Sequence, residues 1–543
     1  MDDTNGVDRR SFLRFAGTTA AAAALAGCSS ADSDPTDTDT SGGGTDTTSP
    51  TATETDGSNG AGDAFAVDVT QGAMATTLDP HDHRETSTRS VLLQAYERIL
   101  MRDAEGRVVS RLATGWERVA ADEVAFTIRD GVTFHEGESL TAADAAYSVR
   151  RVVDDDVHIT SPQSGQLGGI TDAEAVSETE LRVRSDGYDP ILVASLASYC
   201  PVVSESWTGA RTPDEVATSA NGTGPFRITE YDQDVSVTVE RFDDYWGDAP
   251  AVTEATISAA GEAGTRVNQL RAGETDVITN VPPVDVVAIQ GDGDTRISAV
   301  PSTRNLFVVL NHGRAPFDSR AFRRAMNYAI DLDAIIENVL SGFGDPTGQP
   351  TLEGSVGFAD DVDPYPYDPA EAERLVEESG YAGTEFTIHT PVGRYLADFE
   401  VAQAVAGYID ELPNVTCRVQ QRDFGSLINE FTDGDLETSP TAFLIGSSNP
   451  SRDASQKFNS WLLPGAATSH VTDGTFADMY AAAQSERDPD ARVELLADIN
   501  RRAHEEASLL YLHRQYSIYG LAERVSWEPR QDELILLEAF EQA

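Results

Sequence analysis

The sequence predicts an α/β protein with mixed sheets in more than one lobe, and three observations carry that expectation. At 543 residues the chain exceeds what one hydrophobic core organises, so two or more domains are expected. From Ala64 onward, segments of alternating apolar and polar residues exchange with segments whose apolar residues recur every three or four positions. No internal repeat breaks that alternation.

The elements follow in chain order. "AFAVDVT" (64–70) alternates and runs into the loop "TTLDPH" (76–81). "SVLLQAYERIL" (90–100) has helical spacing at Val91, Leu92, Ala95, Tyr96 and Ile99. "VAFTIRDGVTF" (124–134) reads as a hairpin, and Thr141 with Asp144 reads as the cap of a helix over "TAADAAYSVRRVV". "DVSVTVERF" (234–242) is another period-2 strand. After Pro316, Phe322, Ala325, Met326, Ala329 and Ile330 form one apolar helix face, and Leu332, Ile335, Ile336, Val339 and Leu340 form the next. In "YDPAEAERLVEESGY" Asp368 caps a helix, Pro369 sits in its first turn and Gly380 stops it. These stripes are expected to be core.

The first 63 residues read differently. Arg9-Arg10 before Ser11-Phe12-Leu13 looks like a twin-arginine export signal. The apolar run Phe15–Gly27, 13 residues long, is short of the ~20 that a membrane-spanning helix needs. Leu25-Ala26-Gly27-Cys28 resembles a lipobox, which makes Cys28 the expected lipid-bearing residue. Residues 29–63 follow as a tether: 28 of 35 are Ser, Thr, Asp or Gly and none is aromatic, so they bury too little apolar surface to order themselves. The expected location is the outer face of the cytoplasmic membrane, with the folded body held there through Cys28.

Charge narrows the partners. Asp and Glu number 91 against 39 Lys and Arg, a formal net charge of −52, and Lys457 is the single lysine. Such self-repulsion is tolerable where concentrated salt screens it, so salt adaptation is the expected reading. Nucleic acid is disfavoured because no basic stretch could neutralise phosphates. Enzymatic signals fail on inspection. There is no Gly-x-Ser-x-Gly, no Walker A loop around Lys457 and no Cys-x-x-Cys, and His504 begins no zincin spacing. His81-Asp82-His83 reads as a polar loop before it reads as a metal site. Cys200 and Cys417 read as buried thiols. No catalytic residue, metal or cofactor is expected.

Several stretches together resemble family 5 of the extracytoplasmic solute-binding proteins of ATP-binding-cassette importers, the oligopeptide, dipeptide and nickel group. They are "TLDPH", "LLQAYERIL", "LATGWE", "FTIRDGVTFHEGESLTAADAAYSVRR", "NGTGPF" (221–226), "VVLNHGRAPFDSRAFRRAMNYAID", "DPAEAERLVEESGY" and "GRYLADFEVAQAVAGYI". The resemblance implies a two-lobed periplasmic-binding-protein-like fold of type II with an extra subdomain and a ligand cleft between the lobes. Lobe one would span 64–303 plus 515–543, with the inserted subdomain at about 109–220, and lobe two 304–514. It also implies a monomer that captures a peptide-like or other small polar solute by closure and delivers it to a permease and its ATPase subunits. A sensor, a peptide chaperone or, less expected, a secreted hydrolase are the alternatives.

The resemblance places ligand contacts at Thr76, Thr77 and Leu78 from lobe one and near "FLIGSSNPSRDAS" (443–455) from lobe two. Here the sequence departs from the family pattern of a tryptophan and an amine-anchoring aspartate. It offers Ile445, Gly446, Ser447, Ser448 and Asn449 instead, with Asp453 displaced toward the next helix. That neutral set pairs poorly with an ammonium group and favours neutral polar solutes or ligands read by other groups. Arg394 and Tyr395 are further candidates: the guanidinium suits a ligand carboxylate, or equally holds Asp398 or Glu400. Tyr199 is a candidate from lobe one. Trp461 and Phe458 are expected in the core.

Overall fold

The computed structural model describes residues 64–432 and 435–543. The paired arginines Arg9 and Arg10, Cys28 and the tether all lie outside the described residues. Among the described residues no helix is long and apolar enough to cross a membrane.

One mixed sheet organises the body. Its order is Val415–Gln421, Thr384–Thr390, Ala442–Ser448, Thr295–Leu310, Leu509–Ala522, Val277–Ile278, Ala66–Gln71, Glu254–Ala259, Ser236–Arg241 and Phe226–Asp232, with Gly344–Pro346 paired off this path to the 509–522 strand. Two long antiparallel strands, Thr295–Leu310 and Leu509–Ala522, run through both halves. Residues 295–301 pair with 516–522 on the Ala66–Gln71 side, and 305–309 pair with 509–514 on the Ala442–Ser448 side. The ladder changes register between Pro301 and Asn305, a local break that re-aims the strands between the halves.

A separate four-stranded antiparallel sheet, in the order Ala113–Ala120, Glu123–Ile128, Glu180–Ser185, Ile170–Ala175, packs against the helix Ala142–Val153. Its core holds Phe126, Phe134, Val149, Leu181 and Leu196. The helix starts where Thr141 predicts, with the Asp144 carboxylate accepting the Thr141 N–H at 2.9 Å. The hairpin, however, lies one strand earlier than expected, at 113–128. Residues 131–134 make only an isolated bridge, Thr133 with Ser139, because Gly131 turns the chain out of the sheet at φ +78°.

The expected helix over 90–100 is also cut short, and the "NGTGPF" turn is the reason. The helix Thr86–Ala95 ends at Ala95, whose carbonyl accepts the Gly224 N–H at 2.9 Å. A Cβ on Gly222 would stand 1.9 Å from that same oxygen, so only glycine lets the turn occupy the space of the next helical turn. The helices Arg320–Tyr328, Leu332–Asn338 and Pro369–Ser379 stand where their stripes predict. Asp368 accepts from Glu371 N at 3.0 Å, and Gly380 closes the last of them at φ +79°. Cys200 and Cys417 are buried free thiols.

Candidate ligand-binding site

A cavity of about 210 Å³ lies between the two halves of the main sheet. Gln71–Ala73, Ser90 and Asn280 line it from one half, and Gly393–Tyr395 line it from the other. The long strands contribute Arg304, Gln515 and Ser517, and Glu533 closes the floor.

Three arginines reach this cavity, and their partners differ. Arg266 is spent: Nε donates to Thr279 O at 3.0 Å, Nη1 to Ala260 O and Gly261 O at 2.6 and 3.0 Å, and Nη2 to Asn280 O at 3.2 Å. It fixes the loop that carries Asn280, whose φ is +52°. Arg304 is paired, with Nε and Nη2 on the two Glu533 oxygens at 3.1 and 2.7 Å. Burial pushes the Glu533 carboxyl up, but the Arg304 charge outweighs it and holds the group below its ordinary value. Arg394 is different. It is exposed, lines this cavity and the adjoining one that Phe424 lines, has its guanidinium 4.9 Å from the Phe424 ring centre and makes no ion pair among the described residues.

The loop carrying Arg394 is nevertheless rigidly mounted. The Asp398 carboxylate accepts the backbone N–H groups of Gly393, Arg394, Tyr395 and Phe399 at 2.9–3.0 Å. Leu396 N donates to Gln515 Oε1 at 3.3 Å, which ties the loop to the long strand. Asp398 is thus engaged by backbone, and the Arg394 guanidinium is left without a carboxylate partner among the described residues. It can meet a carboxylate or another small anion with two parallel hydrogen bonds.

The other expected contacts sit elsewhere. Thr76 is exposed outside the cavity lining and donates its N–H to Thr88 Oγ1. Thr77 Oγ1 accepts from Asp79 N at 3.0 Å, and Leu78 is core, packed with Leu92 and Tyr96. That half is represented in the cavity by Gln71–Ala73, a few residues earlier. Tyr199 is buried, with its hydroxyl accepting from Gln456 Nε2 at 2.7 Å.

Gly446 lies behind the Tyr395 ring. Ser447 gives its Oγ to Trp461 Nε1 at 2.9 Å and its carbonyl to Lys457. Ser448 is half-buried opposite Arg304 in the ladder, and Asn449 donates to Asp453 O at 3.2 Å. Asp453 itself caps the helix Ala454–Trp461 and pairs with both Nη atoms of Arg492 at 2.7 and 2.9 Å. Ser447 and Asn449 are therefore engaged by neighbouring protein groups. Phe458 and Trp461 are core, as expected.

Outside the cavity lining, three contacts join residues 102–105 and 198 to residues 450–452. Arg102 Nη2 donates to Ser451 O at 2.6 Å, Ser198 Oγ to Pro450 O at 3.1 Å, and Arg452 Nη1 to Glu105 O at 3.1 Å. Sequence reasoning did not single out Gln71, Ser90, Arg266, Asn280, Gln515 or Glu533. None belongs to a local motif, and in so acidic a chain the Arg304–Glu533 pairing, 229 residues apart, leaves no readable signal.

This geometry defines a class, a periplasmic-binding-protein fold of type II built around a polar cavity. Solved structures share it. The periplasmic binding protein DppA from Helicobacter pylori, in complex with the peptide STSA, superposes with a TM-score of 0.77 at 19% identity, covering 88% of this chain and 98% of its own. AgaA from A. tumefaciens R10, in complex with agropinic acid, gives 0.76 at 22% identity, covering 88% and 99%. The chain belongs to the bacterial extracellular solute-binding proteins, family 5, whose middle-region model matches residues 107–468. Among curated proteins it is 27% identical over 316 residues to the glutathione-binding protein GsiB of Pectobacterium atrosepticum, 58% of this chain and 61% of that one. The match thus spans about three-fifths of the relative's length.

Proposed function

We propose that this chain is the extracytoplasmic receptor of an ATP-binding-cassette importer, and that it captures a small solute bearing a carboxylate. The observation that carries the reading is Arg394, held on a backbone-anchored loop that lines a cavity between the halves of the sheet, with no ion pair among the described residues. At about 210 Å³ the cavity lies below the ~300–1,000 Å³ usual for drug-sized ligands, which favours something nearer a modified amino acid or short peptide than a long peptide.

The two halves act as lobes, 64–303 with 515–543 and 304–514, with the inserted subdomain at about 109–220. The register break near Pro301–Asn305 supports a hinge there. Ligand bridges Arg394 and Tyr395 to the opposite wall, and the contacts of Arg102, Ser198 and Arg452 add to the closed state. Closure is favoured by as much as the solute binds that state better than the open one. The closed form is what a permease and its ATPase subunits recognise. Export through Arg9-Arg10 and lipidation at Cys28 keep the monomeric receptor beside them. The family relation and the ligands named for GsiB, DppA and AgaA support a carboxylate-bearing ligand.

The test is a thermal-shift screen of the purified protein in molar potassium chloride against dipeptides, glutathione, free amino acids, nickel–histidine and neutral sugars. The reading expects a rise in Tm with at least one carboxylate-bearing solute and no turnover of it. A rise confined to neutral sugars, or hydrolysis of a solute that binds, contradicts it.

A further inference from the structure

A second cavity, about 30 Å³, lies outside the proposed solute site. Four arginines line it, Arg98, Arg102, Arg111 and Arg530, with Leu93 and Leu534 among its apolar walls. Three of the four are engaged. Arg111 pairs with Glu97 at 2.5 Å and with Glu538 at 2.7 Å, and Arg530 pairs with Asp532 at 2.6 Å. Arg102 donates to uncharged oxygens only, Ser198 Oγ, Gly106 O and Ser451 O.

Arg98 has no such partner. Its residue is 8% exposed, its guanidinium makes no hydrogen bond or ion pair with any described residue, and its Nε is buried without an acceptor. Burial and the neighbouring Arg89 charge push its pKa down to about 9. The lining thus holds four arginines against two carboxylates, Glu97 and Glu538, both bound to Arg111, while nearby Asp532 is bound to Arg530. A buried cation in that position is strongly unfavourable without a counter-charge.

We propose that this cavity binds one monovalent halide ion, chloride in salt water, against the Arg98 guanidinium. The volume admits one such ion, and a monatomic anion needs no further hydrogen-bond donors to satisfy peripheral oxygens as phosphate or sulfate would. Water would fill the space and accept a hydrogen bond, but it would leave the excess charge unbalanced. At a net charge of −52 the protein as a whole repels anions, so the ion is held by this local cluster and by direct contact. The site adjoins the contacts to residues 450–452, because Arg102 shares its wall and also bonds Ser451 O.

Crystals of the purified protein grown in bromide test this directly. An anomalous peak in contact with the Arg98 guanidinium is expected, and a cavity holding only water, or Arg98 turned onto a carboxylate, overturns the proposal. Thermal unfolding in potassium chloride, bromide and glutamate at equal ionic strength supplies the second reading. Tm should be a few degrees higher in the halides, the shift expected when an anion is in large excess over its Kd, and the difference should vanish in Arg98→Leu. General salt effects run the other way, since excluded anions such as glutamate strengthen burial. A halide preference that survives Arg98→Leu overturns the proposal, as does a bromide peak with no halide dependence of Tm, which would be an adventitious ion only. If Arg98→Leu does not fold, the peak and the halide dependence of the natural sequence decide.

Discussion

Two loops that follow strands of the main sheet make an instructive pair. The loop at 76–83 and the loop at 391–398 are both polar, and both read from the sequence as places where a ligand could bind. In the first, the fold consumes the polar groups. The Asp79 carboxylate takes both Nη atoms of Arg151 at 2.8 and 2.5 Å. His81 Nδ1 lies 3.0 Å from Arg151 Nη1, and its Nε2 lies 2.7 Å from Pro201 O. Burial and the Arg151 charge push the His81 pKa down to about 4, so this ring is a neutral structural link. In the second loop a carboxylate again gathers donors, but Asp398 gathers backbone, and that leaves the Arg394 side chain unspent. A polar residue is a ligand candidate only when its own fold has no use for it.

The sharpest way to break the comparison is to cut the first loop. Asp79→Ala leaves Arg151, 0% exposed, as an uncompensated buried charge, and should cost about 3–5 kcal/mol of stability. Solute affinity of the folded protein should stay unchanged. Denaturant unfolding with parallel binding titrations checks both halves of that statement, and a variant of normal stability but weakened binding would move the first loop into the site. Acid gives the same contrast without mutation. Burial raises the Asp79 carboxyl, yet the Arg151 hydrogen bonds and charge win and hold it below its ordinary value. A depressed acid stabilises the fold above its unfolded pKa of ~3.9 and loses that contribution as pH falls through the folded value. Unfolding followed from pH 5 downward should therefore be less steep in Asp79→Ala.

A smaller effect is expected at the floor of the second loop. A Cβ on Gly446 would stand 2.7 Å from the buried Tyr395 ring and 3.1 Å from Arg304 Cδ. Gly446→Ala should cost about 1–3 kcal/mol by overpacking and displace the ring toward the cavity, weakening solute binding as well. Normal binding in a destabilised variant would mean that Tyr395 does not shape the site.

The same distinction explains how far the sequence could be read. Local physics was legible: Thr141 with Asp144, Asp368 with Gly380 and the helix faces after Pro316 all rest on neighbours a few residues apart. Arg394 was legible as a residue type, but its freedom was not, because that depends on Asp398 being satisfied by backbone. In the stretch 446–449, which reads as cleft lining, Ser447 is engaged by Lys457 and Trp461 and Asn449 by Asp453, contacts whose geometry residue types alone do not reveal. Long-range pairings such as Arg304 with Glu533 left no local trace, since any arginine here has many acids to choose from.

The smallest change to the fold should have the clearest effect on binding. Arg394 makes no ion pair among the described residues, so Arg394→Ala should leave stability within about 0.5 kcal/mol. The decisive measurement is calorimetric titration of the natural sequence and of Arg394→Ala with whichever dipeptide, amino acid or glutathione raises Tm most. The account predicts a loss of about 10–100-fold in affinity, the worth of a charge-assisted hydrogen bond to a carboxylate. Equal affinity in the two proteins would contradict it.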